Sequence, residues 1–319
     1  MEEKENQTYY FEKDYKKLDE YDNNLFPTIN PVTAAILALF GVFILYQIVG
    51  SLLTLAIFNF DIKSADTNSI RLMTMAGQFL FILVPAIWLT KTVYFDVSTV
   101  LRVRRLPPLK EFGLAILGLA ILTPLLQLFI NLQNYAIIKL AENSALFSSL
   151  KSFLDNMDKI VESSYLDILS THNIVEVLLV VVVVTFTPAI CEEAFFRGFI
   201  QKSFELKIKP MWAILITSFF FGLYHFNPYG LLSLILLSMF LGWFAYKGKS
   251  IFLPMTIHFL NNLFAVVMYL IYGKDELVSN PDISNINLMS TLGEFTFLLV
   301  LFIIFFIYTY NYYKNLEKS

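Results

Sequence analysis

Three charged side chains lie inside a strongly apolar stretch of the chain and are the first candidates for chemistry. Glu192, Glu193 and Arg197 follow a run of Val and Leu residues. Because a charged side chain at the middle of a membrane helix costs roughly 2.5 to 3.5 kcal/mol, such a group lies near the membrane edge or faces a hydrated cavity. Glu193 and Arg197 are four residues apart and can pair on one helical face. This leaves Glu192 as the acid without a local partner.

Two of the three histidines also fall inside apolar stretches. These are His225 and His258, and Asn262 lies four residues after His258, on the same helical face. A single histidine in a membrane helix most often serves as a hydrogen-bonding link between helices. Two of them, together with an unpaired acid, favour a water-containing site at which several apolar helices meet.

Membrane helices are predicted to hold these residues. The chain has 319 residues, of which 57% are hydrophobic, and its mean hydropathy is +0.63, above the norm for soluble proteins. Apolar stretches long enough to cross the bilayer lie near 32–60, 70–93, 112–140, 174–199, 211–226, 231–246, 251–272 and 292–313. The sequence therefore predicts an all-α, polytopic membrane protein of about eight transmembrane helices with a central catalytic helix bundle.

Domain organisation and orientation follow from charge. Residues 1–30 are polar and predict a cytoplasmic tail, and residues 31–319 predict a single transmembrane domain with its motif core at about 174–272. Lys and Arg are concentrated in the connections on the same side as this tail, which predicts that both termini are cytoplasmic. The connection 141–172 has apolar residues at helical spacing and predicts an amphipathic helix on the membrane surface, or a connector with one apolar face.

Several function classes are disfavoured. A net charge of −3 and a pI near 5.7 argue against nucleic acid as a partner. The single cysteine, Cys191, forms no intramolecular disulfide. No His-Glu-x-x-His motif, Gly-x-Ser-x-Gly elbow or pair of aspartates within the apolar stretches occurs, which argues against zincin, serine and aspartyl proteases.

The charged and imidazole residues resemble the motifs of one family. Glu192, Glu193 and Arg197 match Glu-Glu-x-x-x-Arg, Phe221 and His225 match Phe-x-x-x-His, and His258 and Asn262 match His-x-x-x-Asn/Asp. Together, and in this order, they resemble the CPBP family of intramembrane proteases, also known as the CAAX protease or Abi family. The resemblance implies hydrolysis of a peptide bond within a membrane-embedded chamber.

The resemblance also implies roles for the residues. Glu192 would be the general base acting on water, while Glu193 and Arg197 would hold the helix and tune that carboxylate. His225 would orient the water or protonate the leaving amine. His258 and Asn262 would donate hydrogen bonds to the oxyanion.

A metal-dependent version of the same site is chemically coherent. Two imidazoles and one carboxylate, here His225, His258 and Glu192, leave an open position on zinc for a water molecule. Asn262 is a poorer zinc ligand than aspartate, which favours the metal-free mechanism. The sequence leaves the cofactor open between zinc and none.

Two other classes of protein also fit the sequence. A secondary transporter would use buried Glu and His residues as a proton relay, and a catalytically silent immunity or scaffold protein would keep the fold without the activity. The expected partners are membrane lipid and a membrane-associated or lipidated protein or peptide substrate. Rich use of Asn, Lys, Ile and Tyr predicts a bacterial inner (plasma) membrane.

Overall fold

A computed structural model describes residues 15, 17–61, 65–273 and 287–318, and these ranges contain helices and turns but no strand. Nine helices of at least 15 residues are numbered in chain order. They are α1 (Pro31–Ile57), α2 (Thr67–Tyr94), α3 (Leu109–Asn143), α4 (Ala145–Leu169), α5 (Ile174–Glu205), α6 (Pro210–Tyr224), α7 (Leu231–Gly248), α8 (Phe252–Tyr272) and α9 (Leu288–Lys318). All except α4 and α6 are long and apolar enough to cross a membrane, which confirms the polytopic all-α prediction.

Within the described ranges, seven helices rather than the predicted eight are candidate membrane spans, because the fifth predicted stretch forms only a short helix. Instead of 211–226, α6 covers Pro210–Tyr224, and its 15 residues rise only about 22 Å, less than the roughly 30 Å of a bilayer core. Phe226 adopts a left-handed conformation with φ 51°, and the residue before Pro228 is disfavoured in a helix. The helix therefore ends at His225, which places this imidazole at a helix terminus.

Polar caps fix where the membrane helices begin. The Asn30 side chain accepts a hydrogen bond from the backbone N–H of Val32, at 2.9 Å, at the start of α1. The Asp66 side chain caps α2 through Ser69, and the Asn173 side chain caps α5. These side chains satisfy N–H groups that the first turn of a helix leaves unpaired, so each span begins close to the predicted residue.

Wider, π-helical turns interrupt three of these helices. They cover Ile44–Gly50 in α1, Phe79–Leu83 in α2, and both Val181–Phe186 and Ala194–Ile200 in α5. Such turns are frequent at functional sites. The two in α5 flank the acid pair, and Pro188, between them, has no N–H to donate to the carbonyl of Val184.

The interior consists of two main apolar clusters. One joins α1, α2, α5 and α6, and contains buried residues such as Leu39, Phe196 and Phe221. The other joins α3, α7, α8 and α9, with one residue from α6. Because α5 belongs to the first cluster and α8 to the second, residues on their facing sides lie where the two clusters meet.

Helix α4 is amphipathic, as the spacing of its apolar residues predicts, and is tied to the bundle by polar contacts. The hydroxyl of Tyr229, in the turn before α7, donates to Asp155 Oδ1 at 2.5 Å. Burial, together with the neighbouring Asp155 carboxylate, raises the pKa of the Tyr229 phenol. Arg71 of α2 donates to the carbonyl of Ile168 at 2.8 Å. The position of α4 on a membrane surface stays a prediction.

Two glycines of α3 provide a test of how tightly the second cluster is packed. A Cβ added at Gly118 would lie 2.6 Å from ring atoms of both Phe240 and Phe305, whereas a Cβ at Gly113 would meet nothing within 4 Å. We expect Gly118→Ala to lower the free energy of unfolding by about 1–3 kcal/mol. Gly113→Ala is expected to be neutral or stabilising by up to about 1 kcal/mol. Thermal unfolding of both variants measures the difference, and equal midpoints would contradict this packing.

Candidate active site

Helix α5 carries the acid pair and the arginine into the interior of the bundle. Glu193 and Arg197 are both fully buried, and Arg197 Nε lies 3.2 Å from Glu193 Oε2, the pairing predicted from their spacing. Arg197 also donates to Ser238 Oγ of α7 at 3.2 Å and lies 4.7 Å from the centre of the Phe221 ring. Buried charges require such partners, because removing either one leaves a desolvated charge.

Glu193 has a second partner on α8. Its Oε1 lies 2.8 Å from Nδ1 of His258, which is almost fully buried. Since a carboxylate only accepts, Nδ1 carries the proton in this bond. The bond fixes the orientation of the imidazole and leaves Nε2 as its second functional atom. The sequence predicted only Arg197 as a partner of Glu193, so the contact that orients His258 is a finding of the structure.

Glu192 faces His225 across a short gap. Glu192 Oε2 lies 3.9 Å from His225 Nε2, and the side chains are 15% and 22% exposed. Within the described residues Oε2 has no hydrogen-bond partner. His225 Nδ1 donates to the carbonyl of Phe221 at 2.8 Å, so Nε2 is the atom turned toward the carboxylate. At this separation one water molecule can contact both groups.

Asn262 lies one turn beyond His258 and is attached to α5. Its Nδ2 donates to the carbonyl of Val184 at 3.1 Å, the carbonyl to which Pro188 has no N–H to donate. Its Oδ1 accepts from Asn261 at 3.3 Å. One of the two amide N–H bonds is therefore used to join α8 to α5, and the second remains for another acceptor.

The Phe221 ring connects the two imidazoles. Its centroid lies 4.5 Å from that of His225 and 5.8 Å from that of His258. The structure thus brings the predicted residues of α5, α6 and α8 into one cluster.

The predicted zinc ligands do not form a metal site in this arrangement. Throughout the described part of the chain, no three His, Cys, Asp or Glu side chains are grouped so that they could hold a metal ion. His258 bonds through Nδ1 to Glu193 and His225 through Nδ1 to the Phe221 carbonyl, which leaves Nε2 of each ring as the remaining atom. Because the three proposed ligands are not grouped around one point, no step below involves a metal.

Two residues outside the motifs position the end of α6. Gln47, in the π-helical turn of α1, donates from Nε2 to the backbone carbonyl of Tyr224 at 3.2 Å. The Tyr224 hydroxyl donates to the carbonyl of Leu39. These contacts attach α1 to the residue before His225. The signal that could have found Gln47 is a polar amide inside an apolar span, where it requires a partner.

Gln47→Leu provides a test of this positioning. The variant keeps the apolar bulk and loses one hydrogen bond, which contributes about 0.5–1.5 kcal/mol. We expect turnover to fall by about 3- to 10-fold, with the substrate KM nearly unchanged. Gln127→Leu, at an exposed position on α3, is the matched control. A loss of turnover as large in the control would contradict a specific role for Gln47.

Comparison with known proteins covers the segment that holds this cluster. Residues 174–264 match the family model described as Type II CAAX prenyl endopeptidase Rce1-like. No curated protein and no solved structure matches the chain. The matched segment includes the acid pair, Arg197, both imidazoles and Asn262, and leaves α1 to α4 and α9 outside it. The resemblance drawn from the motifs is confirmed: residues 174–264 of this multi-pass membrane protein are similar to the Rce1-like family of type II CAAX prenyl endopeptidases.

Proposed function

We propose that the chain is an intramembrane endopeptidase that hydrolyses a peptide bond in a membrane-associated or lipidated protein or peptide, with Glu192 activating water. The observation that carries this proposal is the pair Glu192 and His225, whose Oε2 and Nε2 atoms face each other at 3.9 Å. A carboxylate oxygen without a partner inside a bundle of membrane helices is costly and is kept for use.

The reaction follows from general base catalysis. Glu192 takes a proton from a water molecule that also contacts His225 Nε2, and the water oxygen forms a bond to the peptide carbonyl carbon. When the carbon–nitrogen bond breaks, the proton held by Glu192 passes to the leaving amine. The products are a new carboxylate and a free amine, and Glu192 returns to its starting state.

His258 and Asn262 are the proposed donors to the oxyanion. With Nδ1–H bound to Glu193, Nε2 is the atom of His258 that remains for the oxyanion, and it donates when the ring carries a second proton. Asn262 contributes the N–H that is not bound to Val184. Fixed donors aimed at a developing negative charge are typically the largest contribution to such catalysis.

The location of the site restricts the substrate. Because α5 and α8 are long and apolar enough to cross the membrane, a substrate reaches the site from the lipid or from the membrane surface, which favours membrane-associated and lipidated chains. The family description names a CAAX prenyl endopeptidase, and we propose prenylated CAAX proteins as one substrate class, together with peptide precursors. We also propose that both termini are cytoplasmic, on the distribution of Lys and Arg. The rich use of Asn, Lys, Ile and Tyr favours a bacterial inner membrane.

Quantitative proteomics of membrane fractions tests the function in cells. Cells producing the intact chain are compared with cells producing Glu192→Gln at matched abundance. We expect a set of membrane-associated proteins whose new termini appear only with the intact chain. Identical termini in the two samples would contradict a protease. Loss of proton-coupled uptake in the variant would indicate a transporter. If neither the protein termini nor the uptake changed, the chain would be a scaffold protein.

A further inference from the structure

A second charged site lies at the far end of α5. Lys202 is ten residues beyond Glu192, about 15 Å along the helix, and lines a cavity of about 370 Å³. Five cations line the cavity: Arg102, Arg104, Lys202, Lys247 and Lys249. Four acids line it as well: Asp19, Asp22, Glu205 and Glu317. The catalytic cluster uses none of these residues.

Half of these acids belong to a peripheral part of the chain. Asp19 and Asp22 lie in the helical residues 17–23, here named the acidic segment. Lys202 Nζ lies 2.5 Å from Asp22, and Lys249 Nζ lies 2.8 Å from Asp19, whose side chain is 64% exposed. In both pairs the carboxylate is the more exposed partner, since the Lys202 and Lys249 side chains are mostly buried. A stronger anion can therefore displace the acidic segment.

Without the acidic segment the cavity is strongly basic. Removal of the acidic segment takes Asp22 away from Lys202 and Asp19 away from Lys249. The acids that still line the cavity are then Glu205 of α5 and Glu317 of α9. Arg102 is almost fully buried, and its Nε atom has no hydrogen-bond partner in the part of the chain that is described. A planar guanidinium with a spare donor, beside two ammonium groups, matches the oxygens of a phosphate group.

The surroundings identify the source of that phosphate. The connection between α2 and α3, which contributes Arg102 and Arg104, also carries large apolar side chains that are exposed: Phe95, Leu106 and Leu109. The cavity lies at the carboxyl-terminal ends of α5, α7 and α9, where helices of spanning length are expected to leave the hydrocarbon layer. Basic and apolar groups side by side at this level are typical of contact with an anionic phospholipid.

We propose that this cavity binds the phosphate headgroup of an anionic phospholipid, and that the acidic segment competes for the same cations. Charge complementarity, the outward position of the two carboxylates of the acidic segment and the adjacent apolar side chains together support this assignment. The proposal is independent of the proposed protease activity.

Lipid titration of the purified full chain tests the proposal. Dioctanoyl phosphatidylglycerol and dioctanoyl phosphatidylcholine are added to the chain in a neutral detergent, and the thermal unfolding midpoint is followed by tryptophan fluorescence. We expect phosphatidylglycerol to raise the midpoint in a saturable way and phosphatidylcholine to leave it unchanged. Equal responses to the two lipids would overturn the proposal, and so would the same rise with inorganic phosphate alone.

Variants that remove negative or positive charge at the cavity distinguish lipid binding from a purely structural role of these side chains. Asp19→Asn combined with Asp22→Asn removes the competing charges, and is expected to lower the half-saturating concentration of phosphatidylglycerol about fivefold. Lys249→Gln is expected to raise it about fivefold. Lys91→Gln removes an exposed charge of α2 outside the cavity and is the control without effect. A double asparagine variant that binds the lipid no better than the intact chain would overturn the competition.

Discussion

Replacing Glu192 by Gln is expected to lower the rate of peptide hydrolysis by about 10²- to 10⁴-fold, because the amide cannot accept the proton of the attacking water. The Glu192 side chain has no ion pair with Arg197 and is not fully buried. Its neutral isostere is therefore expected to leave the unfolding midpoint nearly unchanged. The measurement is turnover of a membrane-anchored peptide by purified protein in lipid nanodiscs.

Glu176→Gln is the matched control for this variant, because it makes the same change near the start of the same helix. Glu176 accepts from the His172 N–H at 2.8 Å as part of the cap of α5, a contact that a glutamine oxygen can still make. We expect the control to keep turnover within about twofold of the intact chain. Turnover of the Glu192 variant in the same range would remove the general base from the proposed mechanism.

Replacing Arg197 by Met is expected to cost about 3–5 kcal/mol in the free energy of unfolding, because it leaves the fully buried Glu193 without its cation. Hydrolysis is expected to fall as well, since an unneutralised Glu193 changes the charge around His258. Denaturation of the purified variant in mild detergent measures the first effect, and peptide turnover the second.

The double variant Glu193→Gln and Arg197→Met distinguishes a buried charge from a lost packing contact. Removing both charges is expected to restore most of the stability lost in the single variant, because no uncompensated ion remains. Activity is expected to stay low, since glutamine is a weaker partner for His258 Nδ1. A double variant no more stable than Arg197→Met would show that the arginine stabilises the bundle by packing.

The local parts of this site could be predicted because their geometry is set by the helical repeat. Glu193 and Arg197 pair because they are four residues apart, and Phe221 contacts the His225 ring for the same reason. The polar caps and the turn at Asn227 and Pro228 likewise place helix boundaries near their observed residues. The predicted end of α6 lies two residues beyond the observed end at Tyr224, because the apolar pattern continues to Phe226 while the backbone turns there.

The contacts between helices could not be predicted from spacing. Glu193 and His258 are 65 residues apart, and their hydrogen bond depends on how α5 and α8 are rotated against each other. The hydrogen bond from Asn262 to the Val184 carbonyl depends on the π-helical turn Val181–Phe186 of α5. The hydrogen bond from Gln47 to the Tyr224 carbonyl depends on how α1 packs against α6. Such rotations are set by side-chain packing over the whole bundle, which motifs do not encode.

Hydrolysis by Glu192 is tested most directly by mass spectrometry of a prenylated, membrane-anchored peptide incubated with the purified chain in nanodiscs. We expect two fragments whose masses sum to that of the peptide plus one water, formed by the intact chain and not by Glu192→Gln. A peptide that stays intact with the folded protein, or is cleaved equally by both proteins, would contradict hydrolysis by Glu192.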